Sequence, residues 1–283
     1  MLRQPDEERP GPAAARENAG SADEPARYSA ERARSATRDE LNVFLHERNE
    51  EVLLALLENP NLEEPHIAQL LERLDLPASV LDAIAAQKRW LANEAVRLHL
   101  AQHPRTPKRI ALAVVRQLYL FDLVRLNLLP SAPADIRRVA EELILNRIPH
   151  LPVGQKLTLA RRGPSRVAGA LLAEGHPQAL KLALDNAFLT ESQILKVLAK
   201  PGVPERVIAA IAQHRKWASR YNVRIALIRN AHTPPPCILA FLPHLTLADL
   251  KDVAALQGLP PHARTYIQRE LERRARGVHD SEN

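Results

Sequence analysis

The chain has 283 residues with only 4% aromatics, 9 Gly, 23 Pro and one Cys, and a formal net charge of +6. A single cysteine excludes a disulfide framework and any multi-cysteine metal site within one chain. No apolar run reaches the roughly 18 residues that cross a bilayer. Residues 1–10 lack the apolar core of a secretory signal, so a soluble, cytoplasmic protein is the expectation.

Leu, Ala, Arg and Glu dominate and β-branched residues are scarce, a mixture that favours helices throughout. Residues 1–37 are polar and rich in Pro, Ala, Arg, Glu and Ser. They offer too little apolar surface to offset chain entropy, so they are expected to form a disordered tail. Thr37, Arg38, Asp39 and Glu40 form a capping-box pattern that opens the first helix. Leu41, Phe44, Leu45, Val52, Leu53 and Leu56 come next at helical spacing. Asn59 precedes Pro60 and is pushed out of the α region, which closes that segment. Ile67, Leu70 and Leu71, then Val80, Leu81 and Ile84, supply the next apolar stripes. Thr106 is expected as an N-cap with Pro107 as the first helical residue. Thr190, Glu191, Ser192 and Gln193 form a second capping-box pattern. After Arg274 the periodicity fades, and residues 275–283 are expected to form a second tail.

An internal repeat organises the whole. Residues 57–144 align without a gap on residues 184–271, an offset of 127. The match joins Ile67 to Ile194, Pro77 to Pro204, Ile84 to Ile211, Trp90 to Trp217, Arg97 to Arg224, and Arg137 to Arg264. About 25 positions are identical where chance gives about 7 or 8, and tandem duplication of a ~127-residue unit accounts for this. Within each unit, Val96-Arg97 and Ile136-Arg137 lie 40 apart, and Asn59-Pro60 and His103-Pro104 lie 44 apart. That spacing predicts helix pairs of about 42 residues.

Asn59-Pro60-Asn61-Leu62, Val96-Arg97-Leu98 running to Thr106-Pro107, and Val223-Arg224-Ile225 running to Thr233-Pro234 resemble the leucine-rich-repeat-variant pattern. That group is similar to HEAT repeats. The resemblance implies an all-α, right-handed α-solenoid of HEAT-like helix pairs, and partner binding rather than catalysis. The expected organisation is a first solenoid unit over 38–147, connecting helices over 148–183 and a second unit over 184–274.

Candidate chemistry is sparse. His99 and His103 lie four apart, but the residues between them lack the Glu of a zinc-hydrolase helix, and the counterparts are Ala226 and Asn230. No metal and no cofactor are expected. Cys237 aligns with Ile110, a core-like position, which favours a buried inert thiol. Trp90 and Trp217 are either stacking platforms or helix-junction anchors, and their recurrence among apolar neighbours favours anchors. Arg97 and Arg224 are expected as structural anchors, bridging to a carboxylate or to carbonyls in a neighbouring repeat, with Asp122 and Asp249 as plausible acceptors.

Charge carries the functional signal. Residues 38–100 hold 6 Lys/Arg against 12 Asp/Glu, whereas residues 101–250 hold 21 against 9. Arg105, Lys108 and Arg109, then Arg137 and Arg138, Arg161 and Arg162, and Arg215 and Lys216, recur through the basic stretch and are the candidate binding residues. The leading expectation is a non-catalytic scaffold that holds a protein partner, an acidic one included, on its concave face or basic ridge. The alternative is a nucleic-acid-binding solenoid that uses the basic stripe, although aromatic interleaving and glycine-rich phosphate loops are lacking.

Overall fold

The computed structural model describes residues 29–279, with side chains through Arg276. All regular structure among these residues is helical, without a strand. No helix is long and apolar enough to cross a membrane. Packing divides the chain into two compact units, one reaching Leu100 and including Arg105–Pro107, the other comprising Ala101–Pro104 and everything from Lys108 onward. The division does not fall at residue 147, because helix Ala134–Arg147 packs on Ser165–Glu174 and so belongs to the second unit.

The first unit holds α1 (Ala30–Ser35), α2 (Arg38–Phe44), α3 (Glu50–Leu56), α4 (Glu64–Leu71), α5 (Ala78–Ala86), α6 (Lys88–Leu91) and most of α7 (Glu94–Gln102). Leu41, Phe44, Leu53, Leu56, Ile67, Leu70, Leu81 and Ile84 form its core. Order begins before the capping box, since α1 lies inside the expected tail; residues 1–28 of that tail lie outside the described residues. Local composition misses α1 because its support is distant. Buried Ala33 and Ala36 present carbonyls that accept from Asn59 Nδ2 at 2.8 and 3.0 Å. The Thr37 box is in place, with Glu40 Oε2 accepting from the Thr37 amide and hydroxyl, both at 3.0 Å.

The second unit continues with α8 (Lys108–Val115), α9 (Leu120–Leu128), α10 (Ala134–Arg147), α11 (Val153–Arg162), α12 (Ser165–Glu174), α13 (Pro177–Leu184) and α14 (Glu191–Ala199). It ends with α15 (Glu205–Gln213), α16 (Arg215–Ala218), α17 (Tyr221–Ile228), α18 (Pro235–Phe241), α19 (Leu247–Ala254) and α20 (Pro261–His279). Within it, α10, α12, α14 and α17 pack in succession, and α11, α13 and α15 form a second succession beside them. Gly175 closes α12 at φ 74°, and a Cβ there would press within 3.1 Å of Val207 and Pro204. The last helix runs past the expected end at Arg274, and residues 280–283 lie outside the described part. Arg274 holds that helix by donating to Leu242 O and Leu245 O, each at 2.8 Å, and to Glu270 at 2.7 Å.

Helix placement obeys the 127-residue offset more widely than residue identity does. Each of α2 to α10 starts 127 residues before its counterpart among α12 to α20, as Arg38 does before Ser165 and Ala134 before Pro261. Residues 148–183, expected as connecting helices, therefore hold the counterparts of α2 and α3 in placement, with different surface residues and buried ones at the same spacing. Side-chain bonds repeat as well. Asn186 Nδ2 donates to Ala160 O and Gly163 O at 2.8 and 3.1 Å, the counterparts of the Asn59 bonds. Asn59 Oδ1 and Asn186 Oδ1 accept from the amides of Asn61 and Phe188. Arg147 donates to Leu118 O and Arg274 to Leu245 O, again 127 apart.

Two expected caps are built differently. Six prolines, Pro77, Pro133, Pro152, Pro164, Pro204 and Pro234, occupy the N-cap itself, with φ between −54° and −62°. Likewise α8 starts at Lys108, so Pro107 precedes the first helical residue. The N-cap amide makes no intrahelical bond, so proline loses nothing there, and its fixed φ suits the extended N-cap conformation. Thr106 Oγ1 is buried without a partner among the described residues, while Thr233 Oγ1 turns back to Leu227 O at 2.6 Å. The second capping box does not form. Thr190 donates its amide to Ser165 Oγ at 3.2 Å, because a neighbouring helix start supplies a nearer acceptor than Gln193.

Asn59 and Asn186 are buried with every amide group engaged, so Asn→Ala at either should destabilise by about 2–4 kcal/mol in urea denaturation. Asn→Asp should not rescue it, since a carboxylate cannot donate to two carbonyls. A loss below about 0.5 kcal/mol would show that these carbonyls need no side-chain donor. Glu270 is nearly buried, and Arg273 and then Arg274 hold its carboxyl down at about 2 from 4.5. A depressed carboxylate adds stability above the unfolded value that is lost as pH falls from about 4.5 toward 2. Glu270→Gln should flatten the acid limb of stability against pH, and parallel limbs for both proteins would refute the assignment.

Candidate interaction surface

The basic residues sit at helix ends and on outward faces. Arg138 is exposed early in α10; Arg161 and Arg162 end α11; Arg215 and Lys216 open α16. Cations in a last turn face the carbonyl end of the helix dipole, which accounts for Arg161 and Arg162 locally. The remaining candidates are partly committed to structure. Arg105 donates to Asp75 O at 2.8 Å, and Lys108 pairs with Asp135 at 2.8 Å. Arg109 is exposed one residue further along α8. Arg137 is half-buried, and its Nε lacks a partner among the described residues. Lys216 lies over the Trp217 ring, 4.3 Å from its centroid. The nine candidates therefore divide. Arg138, Arg161, Arg162 and Arg215 project into solvent without an ion pair among the described residues, whereas Arg105, Lys108 and Lys216 also brace the fold.

The carboxylates of the same stretch are mostly consumed. Lys108, Lys156 and Arg166 hold Asp135, Glu174 and Glu141 in the pairs Lys108–Asp135, Lys156–Glu174 and Arg166–Glu141. His214 contacts Asp185 at 3.0 Å, His232 contacts Glu205 at 2.9 Å, and Asn222 donates to Glu191. Asp249 accepts from the Thr246 and Tyr221 hydroxyls, which lower its pKa in that order. The Lys108 hydrogen bond likewise lowers that of Asp135. Seven of the nine acids between residues 101 and 250 thus have partners, and most cations there have no carboxylate left to pair with.

Both tryptophans are buried, Trp90 at 3% and Trp217 at 2% exposure. Trp217 Nε1 donates to Leu184 O at 2.9 Å. At the counterpart carbonyl, Leu57 O, Gln87 and Arg89 donate instead, and Trp90 Nε1 has no partner among the described residues. Arg97 donates to Leu91 O and Ala92 O at 2.7 and 3.0 Å, and Arg224 to Ala218 O at 2.7 Å. These carbonyls lie only five or six residues back, because the short helices α6 and α16 end beside each Arg. The expected Arg224–Asp249 bridge is not the arrangement found, since Tyr221 reaches Asp249 first.

Cys237 is half-buried rather than fully enclosed, with its thiol pKa raised by burial. Its ring-bearing neighbours Pro234, Pro235 and Pro236 open a helix that leaves it at the rim. No group of three or more His, Cys, Asp or Glu side chains among the described residues is placed to hold a metal ion. The matching carbonyl bonds of Asn59 and Asn186, and of Arg147 and Arg274, escaped sequence reasoning. The Asn identity was visible at the 127 offset but inconspicuous in a loop, and the Arg pair falls three residues beyond the aligned block.

Comparison with protein-family models, with curated proteins and with solved structures finds no match to this chain.

The two tryptophans differ by one hydrogen bond. Trp217→Phe should cost about 1 kcal/mol more than Trp90→Phe in chemical denaturation, and either Trp→Ala about 3–5 kcal/mol. Equal costs for the two Phe variants would mean that the Leu184 carbonyl bond contributes nothing net.

Proposed function

We propose that this chain is a non-catalytic helical-repeat scaffold that binds an acidic protein partner through the cationic surface of residues 101–250. The observation that carries this reading is the charge imbalance of that stretch. Seven of its nine acids are engaged by groups within the chain, while Arg138, Arg161, Arg162, Lys181, Lys196 and Arg215 stay exposed without a side-chain partner among the described residues. Exposed like charges repel one another and are relieved by an acidic surface. The proposal includes a right-handed HEAT-like solenoid of the leucine-rich-repeat-variant kind, made by duplication of a ~127-residue unit. The equal spacing of α2–α10 and α12–α20, and the repeated Asn and Arg bonds, support it. A reducing cytoplasmic setting accords with the lone cysteine.

Nucleic acid draws on the same cations and is the second reading. Burial of both tryptophans removes the two largest rings from base stacking and leaves Tyr119, Phe121 and Phe188 as the exposed aromatics of that stretch.

The test is binding of a fluorescent oligoglutamate peptide and of a duplex oligonucleotide, side by side, to the full chain. The expected result is peptide binding that weakens with salt and falls at least about tenfold in R138E/R161E/R162E, with the helical circular dichroism signal of the folded chain retained. Preferential, steeply salt-dependent binding of the duplex would replace the protein reading with the nucleic-acid one. Binding of neither would end both.

A further inference from the structure

The two halves of the chain carry opposite net charge on helices that start at the same 127-residue spacing. At positions 127 apart, Asp39 stands where the second half has Arg166, Glu51 where it has Gln178, and Glu72 where it has Ala199. Conversely Ser35, Leu54 and Gln69 stand where it has Arg162, Lys181 and Lys196. These exchanges fall on or next to helices of like placement, so acids of the first half are replaced by cations or uncharged residues, and uncharged residues by cations, while helix placement is kept. Asp39, Glu51 and Glu72 are exposed, and no hydrogen bond or ion pair holds their carboxylates among the described residues. The same holds for the side-chain nitrogens of Arg162, Lys181 and Lys196.

We propose that the acidic partner is a second copy of this chain, bound as a salt-sensitive antiparallel dimer. In it the acidic first half of each copy faces the basic second half of the other. Charge complementarity selects this occupant: residues 38–100 carry 6 Lys/Arg against 12 Asp/Glu, and residues 101–250 carry 21 against 9. A two-fold axis makes the acidic-to-basic contact twice with one geometry, each time setting a net −6 stretch against a net +12 stretch. A head-to-tail arrangement would make the contact once per pair and leave one acidic and one basic surface free to add further copies. The inference rests on the acidic-partner reading above and deepens it.

Sedimentation velocity of the full chain decides it. At about 50 mM salt the chain should show a concentration-dependent monomer–dimer equilibrium, and at about 500 mM the dimer constant should weaken at least about tenfold. Two surface variants separate specific pairing from general stickiness. R162E/K181E/K196E reverses three exposed cations of the second half, taking residues 101–250 from +12 to +6, and D39K/E51K/E72K reverses three exposed acids of the first half, taking residues 38–100 from −6 to 0. Each should sediment as a monomer alone at low salt, and an equimolar mixture should recover the dimer. Circular dichroism of each variant checks that it is folded, and all six positions are exposed. A wild-type chain that stays monomeric at about 100 µM in low salt overturns the proposal. So does a dimer that ignores salt and both charge reversals, or a mixture that fails to associate. If the chain is monomeric yet still binds oligoglutamate, only this inference falls; if it also fails to bind the peptide, the acidic-partner reading falls with it.

Discussion

Satisfying buried helix ends is the constraint on which the rest of this structure depends. Most helices here run six to ten residues, so a large share of their carbonyls lies in the last turn, where no intrahelical amide can reach. Packing such helices closely buries those carbonyls, and each needs a donor from elsewhere. Side chains from the next helix pair supply them. Asn59 serves the end of α1, Asn186 the end of α11, Arg147 and Arg274 the turns after α8 and α18, and Trp217 the end of α13. Each donor lies 23 to 33 residues beyond its acceptor, so each of these helix pairs is tied to the one before it.

That arrangement leaves the exposed positions free to vary. The apolar stripes and the side chains that donate to helix carbonyls bind neighbouring helices, and substitutions outside them cost little stability. Surface positions 127 residues apart accordingly differ in charge, as Asp39 and Arg166 illustrate, while Trp90 and Trp217 are both buried. In the second half the few carboxylates are tied down by Lys108, Lys156, Arg166 and neutral donors, and the surplus cations face solvent. The proposed partner binding grows out of this separation between an interior that sets geometry and an exterior that sets charge.

Much of the interior was legible in residue spacing. Leu41, Phe44, Leu53, Ile67, Leu70, Leu81 and Ile84 are all core residues, as helical periodicity predicts. The Thr37 box was equally legible, because its four residues need only each other. Legibility failed where a local motif met a competing partner. Thr190 turned to Ser165, Asp249 to Tyr221, and Thr233 to Leu227 O; Arg97 and Arg224 settled on carbonyls close by rather than on distant carboxylates. Short-range rules rank acceptors along the chain, whereas in a packed structure the nearest acceptor in space takes the bond.

The residues alone determined an all-helical chain with repeated apolar stripes, since side-chain periodicity and proline placement act within a few turns of backbone. They also determined the uneven charge. Tertiary structure decided that α1 is ordered, that residues 148–183 hold counterparts of α2 and α3, and which cations project unpaired. Those outcomes depend on contacts some 25 residues or more away, such as Asn59 to Ala33 and Arg166 to Glu141, and no window of local sequence contains both ends of such a bond.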